Sequence, residues 1–243
     1  KKQKIRHLFD VLYTNQERDQ DLKEGFRGRP AIGSAIMTQL RQEPTSLESW
    51  KMLIDKIAAD YHHDNSNPPK VFLCGSIFGG TGASGFPTLG RLLAKALSSD
   101  SQGDLLGKVK LGGLLMLPYF RFSSFGQAEK ETVYARSEEF ILKTEAALRY
   151  YGSQDRPFDT VYLLGMPTLT NVDTFSTGGK NQRNQPHLLE LYAALALRDF
   201  IFTDKPKNKE VVLLSRKQAN AITWEDLPDK DDSRQKQIGR AHV

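Results

Sequence analysis

One segment constrains the fold of this chain more than any other: Val71-Phe72-Leu73-Cys74-Gly75-Ser76-Ile77-Phe78-Gly79-Gly80-Thr81-Gly82-Ala83-Ser84-Gly85-Phe86-Pro87. An apolar run of strand length leads into a cluster of glycines, and Leu89, Leu92, Leu93, Ala96 and Leu97 follow at helical spacing. The pattern predicts a buried strand over 70–75, a glycine loop over 79–85 and a helix over 86–98. Strand, glycine-rich turn and helix together are how an α/β fold builds a phosphate cradle. Glycines let the backbone approach phosphate oxygens, and loop N–H groups with the helix N-terminus supply positive potential. The segment therefore points to nucleotide binding.

The flanking sequence extends the α/β pattern. Ile5, Leu8, Phe9 and Leu12 have helical spacing over 4–13, and the charged stretch 14–24 reads as a loop. Gly25 to Gly33 is a second glycine-rich loop. It opens a small-residue helix over 31–40, with Pro30 near the first turn, where a missing N–H costs nothing. Ser46 to Tyr61 is amphipathic, with Trp50, Leu53, Ile54, Ile57 and Ala58 on one face and Ser46 as a cap. A turn is expected over 62–69.

Val109 to Leu117 is continuously apolar, which suits a parallel strand covered on both faces. A long helix is expected from Gln127 to Tyr151, ended by Gly152, and a short strand over 160–164. The polar stretch 168–184 reads as a long loop, a length that points to function or disorder. Pro186 opens a helix through Phe202 that is apolar nearly all round and therefore expected to be buried. A last strand over 210–214 and a loop over 220–232 follow. Strands alternating with helices imply a Rossmann-like parallel sheet with helices on both faces.

Composition narrows the function classes. The chain has 243 residues, 39% hydrophobic and 26% charged, an ordinary globular balance. No apolar run approaches the roughly 18 residues of a membrane span. The single cysteine, Cys74, excludes an intramolecular disulfide and suits a reducing, cytoplasmic setting. Its apolar strand predicts a buried, inert thiol. The net charge of +5 is interspersed with acidic residues rather than gathered in a stripe with aromatics. That argues against a nucleic-acid interface and fits a positive cleft for a nucleoside phosphate. His62-His63-Asp64 and His187-x-x-Glu190 do not complete a metal site.

Both ends have an arbitrary look. No Met opens the chain, and Ile238-Gly239-Arg240-Ala241-His242-Val243 resembles translated read-through of a sequencing adapter. The chain is expected to be a fragment.

Two nucleotide-binding families compete for the first glycine cluster. Gly79-x-x-Gly82-x-x-Gly85 matches the dinucleotide loop of short-chain dehydrogenases. That loop follows the first strand of its domain, whereas here residues 1–69 come before the strand. None of the eight tyrosines has the Lys four residues later that the chemistry of that family uses. Residues 78–87 also resemble the signature loop of the tubulin/FtsZ family, with Gly79-Gly80-Thr81-Gly82 as its core and Pro87 in register. Gly28-Arg29-Pro30-Ala31-Ile32-Gly33 resembles an earlier phosphate loop of FtsZ. Val109–Leu117 with Pro118-Tyr119-Phe120-Arg121-Phe122 resembles the strand and loop that reach the ribose. The helix 186–202 resembles the central helix that joins the nucleotide domain to the activation domain.

The resemblance spans 25–202 and suits large bacterial tubulin-like proteins better than FtsZ. Phe78 and Ser84 depart from small or glycine positions of the signature, and the family's first glycine loop has no counterpart.

What this resemblance implies is a truncated tubulin/FtsZ-type domain over 1–202, without its first strand, and the start of a following region over 203–237; the adapter-like residues 238–243 are expected to be an artefact. The implied ligand is GTP with Mg2+. Gly28, Arg29, Gly79, Gly80, Thr81 and Gly82 would contact phosphates, with Arg27 a further candidate. Pro118, Tyr119 and Phe120 would flank the sugar, and Asn171, Asn181 or Asn184 would read the base. Asp226, with Glu225 and Asp229, would polarise water for hydrolysis on a neighbouring subunit's nucleotide. Such a head-to-tail contact grows filaments. Plainer readings exist for each: glycines needed for packing, surface arginines, a solvated acidic loop. A nucleotide-binding scaffold without turnover, and an NAD(P)-binding dehydrogenase-like domain, stay open beside GTP-driven assembly.

Overall fold

The apolar run around 110–116 lies inside a four-stranded parallel sheet, as its uninterrupted hydrophobicity requires. The computed structural model describes residues 10–19, 21–23, 25–26, 28–40, 48–98, 105–122, 136–153, 157–166, 168–172, 185–203 and 210–214. Its elements, in chain order, are α1 (Asn15–Arg18), α2 (Pro30–Leu40), α3 (Glu48–His63), β1 (Lys70–Ser76), α4 (Gly80–Ser98), β2 (Lys110–Met116), β3 (Phe120–Phe122), α5 (Phe140–Gly152), β4 (Thr160–Leu164), β5 (Thr170–Val172), α6 (Leu188–Phe202) and β6 (Glu210–Leu214). The main sheet has the order β1-β2-β4-β6, and β3 pairs with β5 in a separate parallel ribbon. Lys70 stands opposite Lys110, Gly112 opposite Thr160 and Thr160 opposite Glu210.

The period-two alternation of strands divides the core between the two faces of this sheet. Leu111 and Leu115 of β2, with Val71 and Leu73 of β1 and Val161 and Leu163 of β4, pack with Ile57 and Ala58 of α3 and Phe86, Leu93 and Leu97 of α4. Leu114, Phe72, Tyr162 and Leu164 pack with Leu189, Ala196 and Phe200 of α6. Each fully buried Leu, Ile or Phe among them contributes about 1.5–3 kcal/mol by leaving water. The Tyr162 hydroxyl also donates to Asp199 Oδ2 at 2.6 Å, pinning α6 to the sheet. The fold is thus α/β, with a parallel sheet covered by helices on both faces.

Several expectations are corrected. The stretch read as a loop at 14–24 contains α1, nucleated by a capping box in which Thr14 and Glu17 serve each other's backbone N–H groups. The helix expected from 86 begins at Gly80, so Gly80 and Gly82 lie in its first turn and Pro87 lies inside it. Of the helix expected from Gln127 to Tyr151, residues 127–135 lie outside the described residues, and the described part runs over Phe140–Gly152. Arg136 is extended (φ −87°, ψ 118°), and a 3-10 turn over Ser137–Glu139 leads in.

The loop expected over 168–184 contains β5, which the period-two test misses because two of its three residues are exposed. Leu53 is exposed rather than part of the buried face of α3. The helix α6 is buried on one face only: Leu189, Ala196 and Phe200 are covered, whereas Phe202 is 79% exposed. Cys74 is also exposed, because β1 ends the sheet order among the described residues. No helix among the described residues is long and apolar enough to cross a membrane. Ser46 and the 220–232 loop lie outside the described residues.

Candidate functional site

At the carboxyl end of β1 the Ile77 N–H donates to Met116 O, carrying the strand pairing one residue beyond Ser76. The chain then turns through Phe78 and Gly79 into α4. The Ala83 N–H donates to Gly79 O at 3.3 Å and closes the first helical turn. The N–H groups of Gly80, Thr81 and Gly82 precede that bond, so no carbonyl within the helix serves them. They lie at the carboxyl end of a parallel sheet, where open α/β folds take ligands.

The second glycine segment is brought against this turn. Gly25 and Gly28 have φ of 74° and 77°, a left-handed backbone that only glycine adopts without strain. Around Gly28 the Arg29 N–H donates to Phe26 O at 2.8 Å. The Phe26 N–H in turn donates to Thr81 Oγ1 at 3.2 Å. A Cβ on Gly80 would stand 2.8 Å from both Arg29 N and Phe26 O, and one on Gly82 would stand 2.5 Å from Ser76 N. The two glycines are therefore required on different sides of the turn, one by the loop and one by the strand. Further along, Gly33 of α2 faces Ser84, and Gly85 faces Met37, so the two helices behind the loops approach closely.

Arg29 is buried, at 7% exposure. The Glu17 carboxyl is held below its ordinary value first by the Thr14 N–H and further by the charge of Arg29. A cleft of about 340 Å³ opens beside the turn, lined by Cys74, Ser76, Thr81, Gly82, Met37 and Phe86 among others.

Pro118 and Tyr119 sit just beyond β2 and adjoin the turn through Phe78. Its ring lies 5.8 Å from Tyr119, 5.2 Å from Phe120 and 5.3 Å from Phe140. The bulky Phe78 thus fills an aromatic cluster rather than the space beside the glycine turn. The Tyr119 hydroxyl donates to Glu190 Oε1 at 3.2 Å. Burial, then the Glu190 charge, pushes this phenol up to about 12.

His187 caps α6: its Nδ1 accepts the Leu189 N–H at 3.0 Å, and its Nε2 lies 2.9 Å from Thr170 Oγ1. An accepting Nδ1 fixes the neutral imidazole with its proton on Nε2, which donates to the threonine. The ring lies 4.8 Å from that of Tyr119. His187 and Glu190 are thereby engaged as a cap and a hydroxyl acceptor.

Of the residues singled out in the sequence, Gly28, Arg29, Gly79, Gly80, Thr81 and Gly82 converge on one place, and Pro118 and Tyr119 border it. Asn171 is on exposed β5, where its Oδ1 accepts from Arg121 Nε. Arg27, Asn181, Asn184, Glu225, Asp226 and Asp229 lie outside the described residues. Sequence reasoning missed Phe26, which links the two glycine segments, and Tyr151, whose hydroxyl donates to Ala83 O at 2.6 Å. No spacing rule connects either with its partner.

Comparison of the chain with protein-family models, with curated proteins and with solved structures finds no match.

Proposed function

We propose that this chain binds a nucleoside triphosphate, GTP, at the first turn of α4, in the manner of the tubulin/FtsZ family. The observation that carries this reading is the convergence of two sequence-distant glycine segments on one helix N-terminus, at the carboxyl end of a parallel sheet. Gly79, Gly80, Thr81 and Gly82 would offer N–H groups and a hydroxyl to the phosphates. Gly28 and Arg29 would close over them from the second loop. The Pro118–Tyr119 corner would border the sugar. The choice of GTP, with Mg2+, comes from the family resemblance alone. So do head-to-tail self-association and hydrolysis completed by a neighbouring subunit through Asp226 and Glu225.

Equilibrium binding of GTP, ATP and NADPH tests this. Saturable GTP binding that is lost in the Gly80→Ala/Thr81→Ala double variant supports it. Unchanged affinity in a folded double variant refutes the site. Binding of NADPH alone replaces GTP with a dinucleotide. Where GTP binds, nucleotide-dependent sedimentation tests assembly, and turnover per molecule that does not change with protein concentration sinks it.

A further inference from the structure

We propose that Tyr151 is a positioning residue for the phosphate-binding turn, its hydroxyl standing in for the backbone N–H that Pro87 lacks. In an α-helix the N–H of residue 87 would serve the carbonyl of residue 83. Proline has no N–H, and Pro87 lies inside α4. The carbonyl left over belongs to Ala83, the residue whose own N–H closes the first turn on Gly79. The Tyr151 hydroxyl donates to that carbonyl at 2.6 Å, from the last turn of α5 and 68 residues further along the chain.

The phenol is well placed to act as a fixed donor. Its ring packs against Phe86, one residue before the proline, at 6.5 Å. Burial pushes its ionisation up to about 12, so it keeps its proton across the working range of pH. On the other side of the turn, Ser84 Oγ donates to Gly80 O at 2.8 Å. The turn that presents the Gly80, Thr81 and Gly82 N–H groups is thus braced by side chains at its first and its fourth residue. The brace at Ala83 comes from a different helix. Movement of α5 would therefore tilt the amide groups offered to a phosphate. Pro87 makes this possible, since an ordinary residue there would hold Ala83 from within α4.

This inference rests on the nucleotide reading for its purpose, and on the amide geometry for its test. Wild type, Tyr151→Phe, Pro87→Ala and the double variant are compared in the full chain. Amide exchange at Ala83, whose N–H is held by Gly79 O, is read without nucleotide, and GTP affinity is read separately. Tyr151→Phe should speed exchange at the Ala83 amide and weaken GTP by about tenfold, the effect of losing one hydrogen bond. Adding Pro87→Ala should restore both, because the new N–H reaches Ala83 O.

Unchanged exchange in Tyr151→Phe overturns the proposal, as does failure of the second substitution to rescue it. If Tyr151→Phe does not fold, recovery of the fold by Pro87→Ala supports the exchange of donors, and no recovery refutes it. If wild type binds no GTP, the nucleotide reading fails while amide exchange still decides the role of Tyr151. Normal exchange rescue with GTP affinity unaltered throughout leaves Tyr151 structural and overturns its positioning role.

Discussion

Phe26 and Thr81 are joined by a hydrogen bond of 3.2 Å across 55 residues of sequence, the Phe26 N–H donating to Thr81 Oγ1. The bond fixes one glycine segment on the other without a ligand. The hydroxyl accepts here and still has its own proton to donate. Thr81→Val keeps the shape and removes the acceptor. It should destabilise the fold by about 1–3 kcal/mol, the cost of stranding a half-buried N–H. Thr81→Ser should stay close to wild type. Urea unfolding of the three proteins measures this, and a valine variant as stable as wild type would show that the bond contributes nothing.

Glycines in this chain should respond to alanine according to what surrounds them. A Cβ on Gly82 meets the backbone of Ser76, which cannot move aside, whereas one on Gly152 meets nothing within 4 Å. Gly82→Ala should cost about 2–3 kcal/mol through strain. Gly152→Ala, at the end of α5, should be neutral or stabilising by up to about 1 kcal/mol, because alanine loses less backbone entropy on folding. Thermal unfolding midpoints should therefore move in opposite directions or in one direction only for Gly82. Equal losses at the two sites would contradict this placement of the turn.

The cap at His187 makes a pH prediction. Desolvation lowers the His187 pKa from 6.5, and Glu190 opposes that shift. Tyr119 and Thr170 face the same ring from the β2–β3 corner and from β5. With the folded value below the unfolded one, the unfolded chain takes up the proton first as the pH falls. The stability contributed by the neutral cap is complete above pH 6.5, and it is lost as the pH falls from there through the folded value. His187→Asn keeps a side-chain acceptor at the cap and does not titrate. The difference in unfolding free energy between wild type and His187→Asn, followed from pH 8 to pH 5, should fall across that window. A difference independent of pH would mean that the imidazole does not cap as a neutral acceptor.

The main strands were legible because each is an apolar run bounded by turn residues, and their ends fall within one or two residues of those expected. The site was legible because its glycines carry a spacing. Neither signal was available for α1, whose evidence is the Thr14 and Glu17 box inside a charged stretch, or for β5, which buries too little to alternate. The start of α4 was misplaced for a physical reason: glycine is read as loop, yet Gly80 and Gly82 are helical positions that need glycine because neighbouring backbone leaves no room for a side chain. Tyr151 was invisible because a hydrogen bond to a carbonyl places no demand on sequence near the acceptor.

The parallel order of the main sheet also sets how this chain must come together. Lys70 meets Lys110, Gly112 meets Thr160 and Thr160 meets Glu210, so every strand pairing waits for a helix or loop to cross back over the sheet. Such pairings close large loops before they return any free energy, which places folding toward the slow, millisecond-to-second end of the range. Until β6 arrives, the edge of β4 is open, and Val161, Tyr162 and Leu163 are a stretch that another chain can pair with. Refolding yield should therefore fall as protein concentration rises, even where the finished fold is stable.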